Sequence, residues 1–199
     1  MVYEDLLAVP GGAYPQRTRP IPMRLGALKH MAEVVLAMSR PQRIIVIGSS
    51  SLFASFPELD IDAGPLANTN DADFVVLPFD EMTGQMIHDA LSEGRNFHQR
   101  HGYYADILRP IGLEDLTPGW EERLVPLPGM EDLVFCLHPK DMAVCKLRAG
   151  RPKDVALLAD LIRRGLLDVE DLRAHLRLTP MREAVIVRAH QCLDKVQGL

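Results

Sequence analysis

From Leu25 to Leu36 the apolar residues Leu25, Leu28, Met31, Ala32, Val35 and Leu36 return every three or four positions. That is the spacing of one helix face, and Pro41 closes the element. Arg43-Ile-Ile-Val-Ile47 is a β-branched run that ends at Gly48, which predicts a short buried strand. Ser49 to Ser55 then open a short helix. Phe56 to Asn70 holds Pro57, Gly64, Pro65 and two asparagines and reads as a loop. A second strand, Asp73 to Leu77, runs into Pro78. Met82, Met86, Ile87, Ala90 and Leu91 predict a helix from Phe79 through about Phe97. A third strand covers Tyr103 to Leu108 and stops at Pro110, and a further strand at Leu133 to Leu137 follows the Pro- and Gly-rich residues 110 to 130.

After Pro139 the pattern is helical only, over about 140–149, 152–164, 168–177 and 180–196. Gly150 serves as a stop, Pro152 and Pro180 stand near first-turn positions, and Asp168 and Thr179 are expected N-caps. Upstream of the first helix, residues 8 to 22 carry Pro10, Gly11, Gly12, Pro15, Pro20 and Pro22 and read as an irregular arm. The expected class is α/β (α+β): a small mixed β-sheet with flanking helices and a helical C-terminal part. Residues 1–139 form the α/β core with its arm, and residues 140–199 pack on it as one compact unit.

A chain of 199 residues, 47% hydrophobic and 25% charged, suits one globular domain of ordinary size. Glu4, Asp5 and Pro10 leave no room for the basic and apolar regions of a signal peptide. No apolar run approaches the roughly 20 residues of a membrane span. Cys136, Cys145 and Cys192 are odd in number and widely spaced, with neither a CxxC pair nor a disulfide framework. A soluble protein of the cytoplasm, with no membrane partner, is the expectation. The net charge of -5 argues against broad nucleic-acid binding, yet from Lys140 to Arg188 there are 11 Lys/Arg against 7 Asp/Glu, a local +4. Solvated helix faces account for many such charges. A basic C-terminal region facing an acidic site also suits a phosphate-bearing substrate.

Three segments carry chemistry. Gly48-Ser49-Ser50-Ser51 lies between a buried strand and a helix, where glycine lets the backbone approach a ligand and the helix start with its hydroxyls offers donors to phosphate. A plain N-cap at Ser49 is the simpler alternative. In Thr69-Asn70-Asp71-Ala72-Asp73-Phe74-Val75-Val76 the strand period of two sends Asp71 and Asp73 to the same face, close enough to share a divalent cation. Magnesium favours carboxylate oxygens and keeps positions open for substrate phosphates. Solvated acids on an edge strand would give the same pattern. Asp106, in Tyr103-Tyr104-Ala105-Asp106-Ile107-Leu108, is a third strand carboxylate that completes a two-metal site, acts as a base, or faces water.

The order Gly-Ser at a strand-to-helix turn, Asp-x-Asp on a strand and a later strand Asp resembles the nucleotidyltransferase superfamily of the DNA polymerase β type. The stretch His138 to Leu161, with Asp141, Lys146-Leu147, Gly150-Arg151 and Lys153-Asp154, is similar to minimal nucleotidyltransferase-like bacterial proteins, including AbiEii-type toxins and DUF6036-like domains. The resemblance spans roughly Arg43 to Ile162. It implies a sheet of nucleotidyltransferase type, Gly48 and Ser49 holding a triphosphate, and Asp71, Asp73 and Asp106 as catalytic carboxylates binding magnesium or manganese. Lys146, Arg151 and Lys153 would reach nucleotide phosphates or the acceptor, and Asp154 would orient a basic neighbour. Gly48 stands 23 residues before Asp71, farther than in the compact family pattern, so Phe56 to Asn70 reads as an insertion. Ala72 is smaller than the usual hydrophobe, and one glycine with three serines stands where many relatives have two glycines.

The activity so implied is transfer of a nucleoside monophosphate from an NTP to an acceptor hydroxyl on tRNA or protein, in a toxin–antitoxin or phage-defence setting with a cognate antitoxin. The competing readings are a non-catalytic nucleotide-binding or regulatory protein that retains the fold, and an unrelated metal-dependent phosphohydrolase. His88, His98 and His101 lack metal-pair spacing and have no nearby Cys. The serines lack the Gly-x-Ser-x-Gly elbow of a hydrolase, and the chain has no GxGxxG and no Walker lysine.

Overall fold

The computed structural model describes residues 22–60, 64, 66 and 69–198, so the irregular arm lies outside the described residues apart from its last proline. Helix α1 (Leu25–Ser39) buries Leu28, Met31, Ala32, Val34 and Val35. Arg40 ends it in the left-handed conformation, φ 45°, with its N–H on the Leu36 carbonyl, and Pro41 prevents continuation. Strand β1 (Arg43–Ile47) follows, with Ile44, Ile45 and Val46 fully buried. Its unbroken β-branched run matches its place, since strands lie on both sides of it.

The other strands are β2 (Asp71–Leu77), β3 (Tyr104–Ile107), β4 (Val125–Pro126) and β5 (Val134–Cys136). Their order across the sheet is β3-β2-β1-β5-β4. β1 runs antiparallel to β2 and parallel to β5, β2 runs parallel to β3, and β4 runs antiparallel to β5. The mixed sheet is the one expected, with β2 beginning two residues earlier than the sequence pattern suggests. β4 was not foreseen, because two residues carry no periodicity.

A 3-10 turn at Ser49–Ser51 leads into the short helix α2 (Leu52–Ser55). The segment read as a loop holds a further 3-10 turn, Pro57–Asp60, and pins itself to the core through Leu59 and Leu66, both 1% exposed. The single helix expected from Phe79 to Phe97 is two: α3 (Glu81–Leu91), capped by the Asp80 carboxylate accepting from the Thr83 N–H, and α4 (Asn96–His101). Gly94, at φ 81°, makes the break with a backbone conformation no helix allows.

The C-terminal part is helical as expected: α5 (Pro139–Ala149), α6 (Pro152–Arg163), α7 (Val169–Leu178) and α8 (Glu183–Gln197). Gly150 ends α5 at φ 60°, Pro152 opens α6, and the Asp168 carboxylate caps α7 by accepting from the Asp171 N–H. Thr179 is not an N-cap, and α8 starts three residues beyond Pro180. The Thr179 hydroxyl instead donates to the His175 carbonyl and accepts from the Thr117 hydroxyl, a buried polar contact that outcompetes capping.

α5 packs against α6, α7, α8 and the Ser49–Ser51 turn, which ties the helices to the carboxyl end of β1. Asp141, fully buried in the first turn of α5, reinforces this joint. It accepts from Arg123 Nε at 2.9 Å and Nη2 at 2.8 Å, and bonds His175 Nε2 at 2.9 Å. Arg123 also donates to the Pro118 and Thr117 carbonyls. Burial alone would raise the Asp141 pKa, but the bonds from His175 and Arg123 outweigh it and hold the carboxyl below the ordinary aspartate range.

Candidate active site

The register of the sheet brings the acids together. Asp73 on β2 pairs with Ile47 on one side and Asp106 on the other, and Asp71 pairs with Tyr104. Because side chains alternate along a strand and parallel neighbours stay in phase, Asp71, Asp73, Tyr104 and Asp106 share one face. One carboxylate oxygen from each of the three aspartates lies within 4.8 Å of the others.

The Gly48 turn presses on this group. Gly48 has φ 68°, and a Cβ there would run into Asp73 Oδ2, so both conformation and close approach demand glycine. Of the three serines, two are structural. The Ser50 hydroxyl donates to the Asp71 carbonyl at 2.7 Å and the Ser51 hydroxyl to the Gly48 carbonyl at 2.8 Å, and both side chains are buried. Ser49 is left to face the cavity, and Gly48 rather than Ser49 holds the N-cap position.

That cavity, about 370 Å³, is lined by Ser49, Thr69, Asp71, Asp73, Asp106, Lys146, Arg151, Lys153, Asp154, Ala156 and Leu157. The cavity therefore brings together Ser49, Asp71, Asp73, Asp106, Lys146, Arg151 and Lys153 of the residues singled out in the sequence, and Gly48 stands against Asp73 without lining it. Among the lining residues, Asp154 is 1% exposed and accepts from Arg151 Nε at 2.6 Å, while Lys146 Nζ stands 3.3 Å from its other oxygen. Burial works to raise the Asp154 pKa, but the Arg151 hydrogen bond and the Lys146 charge prevail and lower it. Lys153 is exposed and forms no ion pair among the described residues.

The acids at the centre behave in the opposite way. Burial, and then the Asp71 charge, push Asp73 up to about 6, with Lys146 and Lys153 only partly opposing. Burial and Asp71 likewise raise Asp106. Tyr104 is pushed up to about 12 by burial and by the surrounding carboxylates, Asp71 first. Repulsion of this kind is what a divalent cation relieves, and three carboxylate oxygens are a hard-donor set suited to magnesium. The residues present fit such an ion.

Sequence reading missed Tyr104 and Thr69. Tyr104 was findable, since it lies two residues before Asp106 and so shares its face. Thr69 precedes β2 in irregular backbone, where no periodicity marks a direction.

A family model described as a nucleotidyltransferase of unknown function (DUF6036) matches residues 23–189, from just before α1 into α8. No curated protein and no solved structure matches the chain. The family match covers most of the chain, including all three aspartates and the Gly48 turn that abuts them, and the chain belongs to this nucleotidyltransferase family.

Proposed function

We propose that the protein transfers a nucleoside monophosphate from an NTP to an acceptor hydroxyl, with Asp71, Asp73 and Asp106 holding magnesium. The observation that carries this reading is the convergence of three carboxylates, a glycine turn and three cations on one cavity. A divalent cation held there would supply Lewis-acid polarisation of the phosphoryl group and activation of the attacking oxygen. The chain's own groups do the rest. Ser49, at the turn that Gly48 keeps open, donates to phosphate oxygens. Lys153 offers an uncommitted charge to the triphosphate, and Arg151 adds the guanidinium edge that Asp154 leaves free. Asp154 fixes Arg151 and Lys146 in place, so these cations are oriented before substrate arrives.

The acceptor is a hydroxyl on tRNA or on a protein, within a toxin–antitoxin or phage-defence setting. Incubation with each α-labelled NTP, magnesium and either bulk tRNA or cell protein identifies donor and acceptor class together. Label on either acceptor supports transfer. Phosphate release with neither acceptor labelled would mark a phosphohydrolase. Magnesium-dependent thermal stabilisation by NTP, lost in Asp71→Ala but without any turnover, would mark a binding module.

A further inference from the structure

A second cavity, about 610 Å³, adjoins the acidic one. It is lined by Leu147, Arg148, Ala149, Gly150, Pro152, Val155, Ala156, Arg188, Gln191, Cys192 and Lys195, and Ala156 lines both. Three of its walls carry cations and none carries a carboxylate, in a chain whose net charge is -5. Arg148 shares its charge with Asp115 at 2.8 Å. Arg188 and Lys195 are exposed and form no ion pair among the described residues. They stand seven residues apart on α8 with Gln191 and Cys192 between, the i, i+3, i+4, i+7 pattern of a single helix face, and so roughly 10 Å apart along the axis.

The α5–α6 turn is the ridge between the two cavities. Gly150 and Pro152 face the basic one, and Arg151 and Lys153 face the acidic one. Cations thus line both cavities, Arg148, Arg188 and Lys195 the basic one and Arg151 and Lys153 the acidic one beside Asp71 and Asp73, and the shared Ala156 joins the two into one track. Such a track matches a polymer with charge repeated along its length. A single phosphate would leave most of it unused. RNA supplies both chemistries the two cavities need, regularly spaced phosphates and a terminal ribose hydroxyl.

We propose that the Arg148–Arg188–Lys195 groove binds the phosphate backbone of an RNA acceptor and leads its end to the three aspartates. This inference rests on the nucleotidyl-transfer reading for the hydroxyl, but the binding itself is independent of turnover. The contacts are to phosphates, so the groove positions RNA without reading its sequence.

The test uses the full chain and fluorescently labelled bulk tRNA, with anisotropy measured over a range of salt. Arg188→Glu combined with Lys195→Glu is expected to weaken tRNA binding about tenfold or more and to reduce the slope of log affinity against log salt by about two. Arg177→Glu combined with Arg182→Glu, two exposed reversals outside the groove, matches the -4 change in net charge and should change binding less than about threefold. Magnesium-dependent thermal stabilisation by ATP should persist in the double variant, and Asp73→Asn should bind tRNA as the parent does. Unchanged tRNA affinity and salt slope in the double variant would overturn the proposal. So would displacement of tRNA by polyglutamate at equal charge concentration, which would mark an acidic protein surface as the partner, or parallel loss of ATP stabilisation, which would make the groove part of the nucleotide site. Retained tRNA binding with no transfer in the parent chain would defeat the catalytic reading while leaving the groove assignment standing.

Discussion

Asp141 is fully buried and Asp73 is half-buried at a cavity, and their surroundings treat them oppositely. Asp141 is met by a bidentate arginine and a histidine, and its pKa falls. Asp73 lies partly buried among two further carboxylates and the backbone of Gly48, and that burial first, then the Asp71 charge, push its pKa up to about 6. One aspartate is finished within the fold. The other is left with a charge that the chain itself does not neutralise, and such a group is stable in place only because the rest of the fold over-determines it. Burial alone therefore does not single out a candidate site acid, whereas burial beside like charges does.

The comparison breaks most visibly on substitution. Asp73→Asn keeps the shape and removes the charge, and transfer is expected to fall about a thousandfold or more. The apo protein should melt at the same temperature or slightly higher, because a repulsion has been relieved. Transfer assays paired with thermal melts decide this, and undiminished transfer would remove the metal-site assignment. Asp141→Ala should do the reverse. It leaves Arg123 and His175 without their shared partner, costing about 3 kcal/mol or more, or a melting temperature lower by about 6–12 °C. Any transfer retained by the folded fraction should show an ordinary Michaelis constant.

Gly48→Ala sits between these two. The added methyl meets Asp73 Oδ2, and the residue must keep a φ of 68°. Stability is expected to drop by about 1–3 kcal/mol, because with ψ at -162° the backbone sits in a region open essentially to glycine alone, and transfer by more than tenfold because the displaced carboxylate belongs to the site. Equal activity in this variant would show that Asp73 has room to move.

The same two aspartates also predict opposite responses to pH. The folded pKa of Asp73 lies above its ordinary value of 3.8, so folding binds its proton more tightly and apo stability declines as pH rises from about 4 to about 6. For Asp141 the folded pKa is depressed, so its contribution is complete above the ordinary aspartate pKa and is lost as pH falls through the lowered one. Magnesium competes with the Asp73 proton, so the stabilisation it gives should grow between about pH 5 and 7. Melts with and without magnesium across this range check it, and in Asp73→Asn that growth should be smaller.

The sequence made some of this arrangement legible and hid the rest for identifiable reasons. Asp71 and Asp73 were readable because strand parity is a local property. That Asp106 lies opposite Asp73 depends on parallel pairing across more than thirty residues, which no local pattern records. The Arg123–Asp141–His175 joint was hidden for a similar reason. Arg123 belongs to a 3-10 turn in the irregular stretch between β3 and β5, and its two partners sit on different helices. Thr179 misled because a threonine before a proline resembles a cap until its distant partner Thr117 is known. The break at Gly94 was overrun because apolar spacing on either side of it still fitted one helix.

The smallest effect is expected at Lys153, and it separates the committed cations of the site from the uncommitted one. Lys146 and Arg151 both spend charge on Asp154, so removing either leaves a buried carboxylate short of a partner and lowers stability. Lys153 has no such partner among the described residues, although its field still reaches Asp73 and lowers that pKa. Lys153→Ala should therefore leave the melting temperature within about 2 °C of the parent. If the ammonium meets a phosphate of the bound NTP before and during transfer alike, its loss removes uniform binding, and the Michaelis constant for NTP should rise about five- to tenfold with turnover changed by less than twofold. Lys153→Arg, which keeps the charge, should restore most of that loss. A fall in turnover larger than the rise in the Michaelis constant would instead place Lys153 against charge that develops only as the pyrophosphate departs, and would move it from the binding group of the site to the catalytic one.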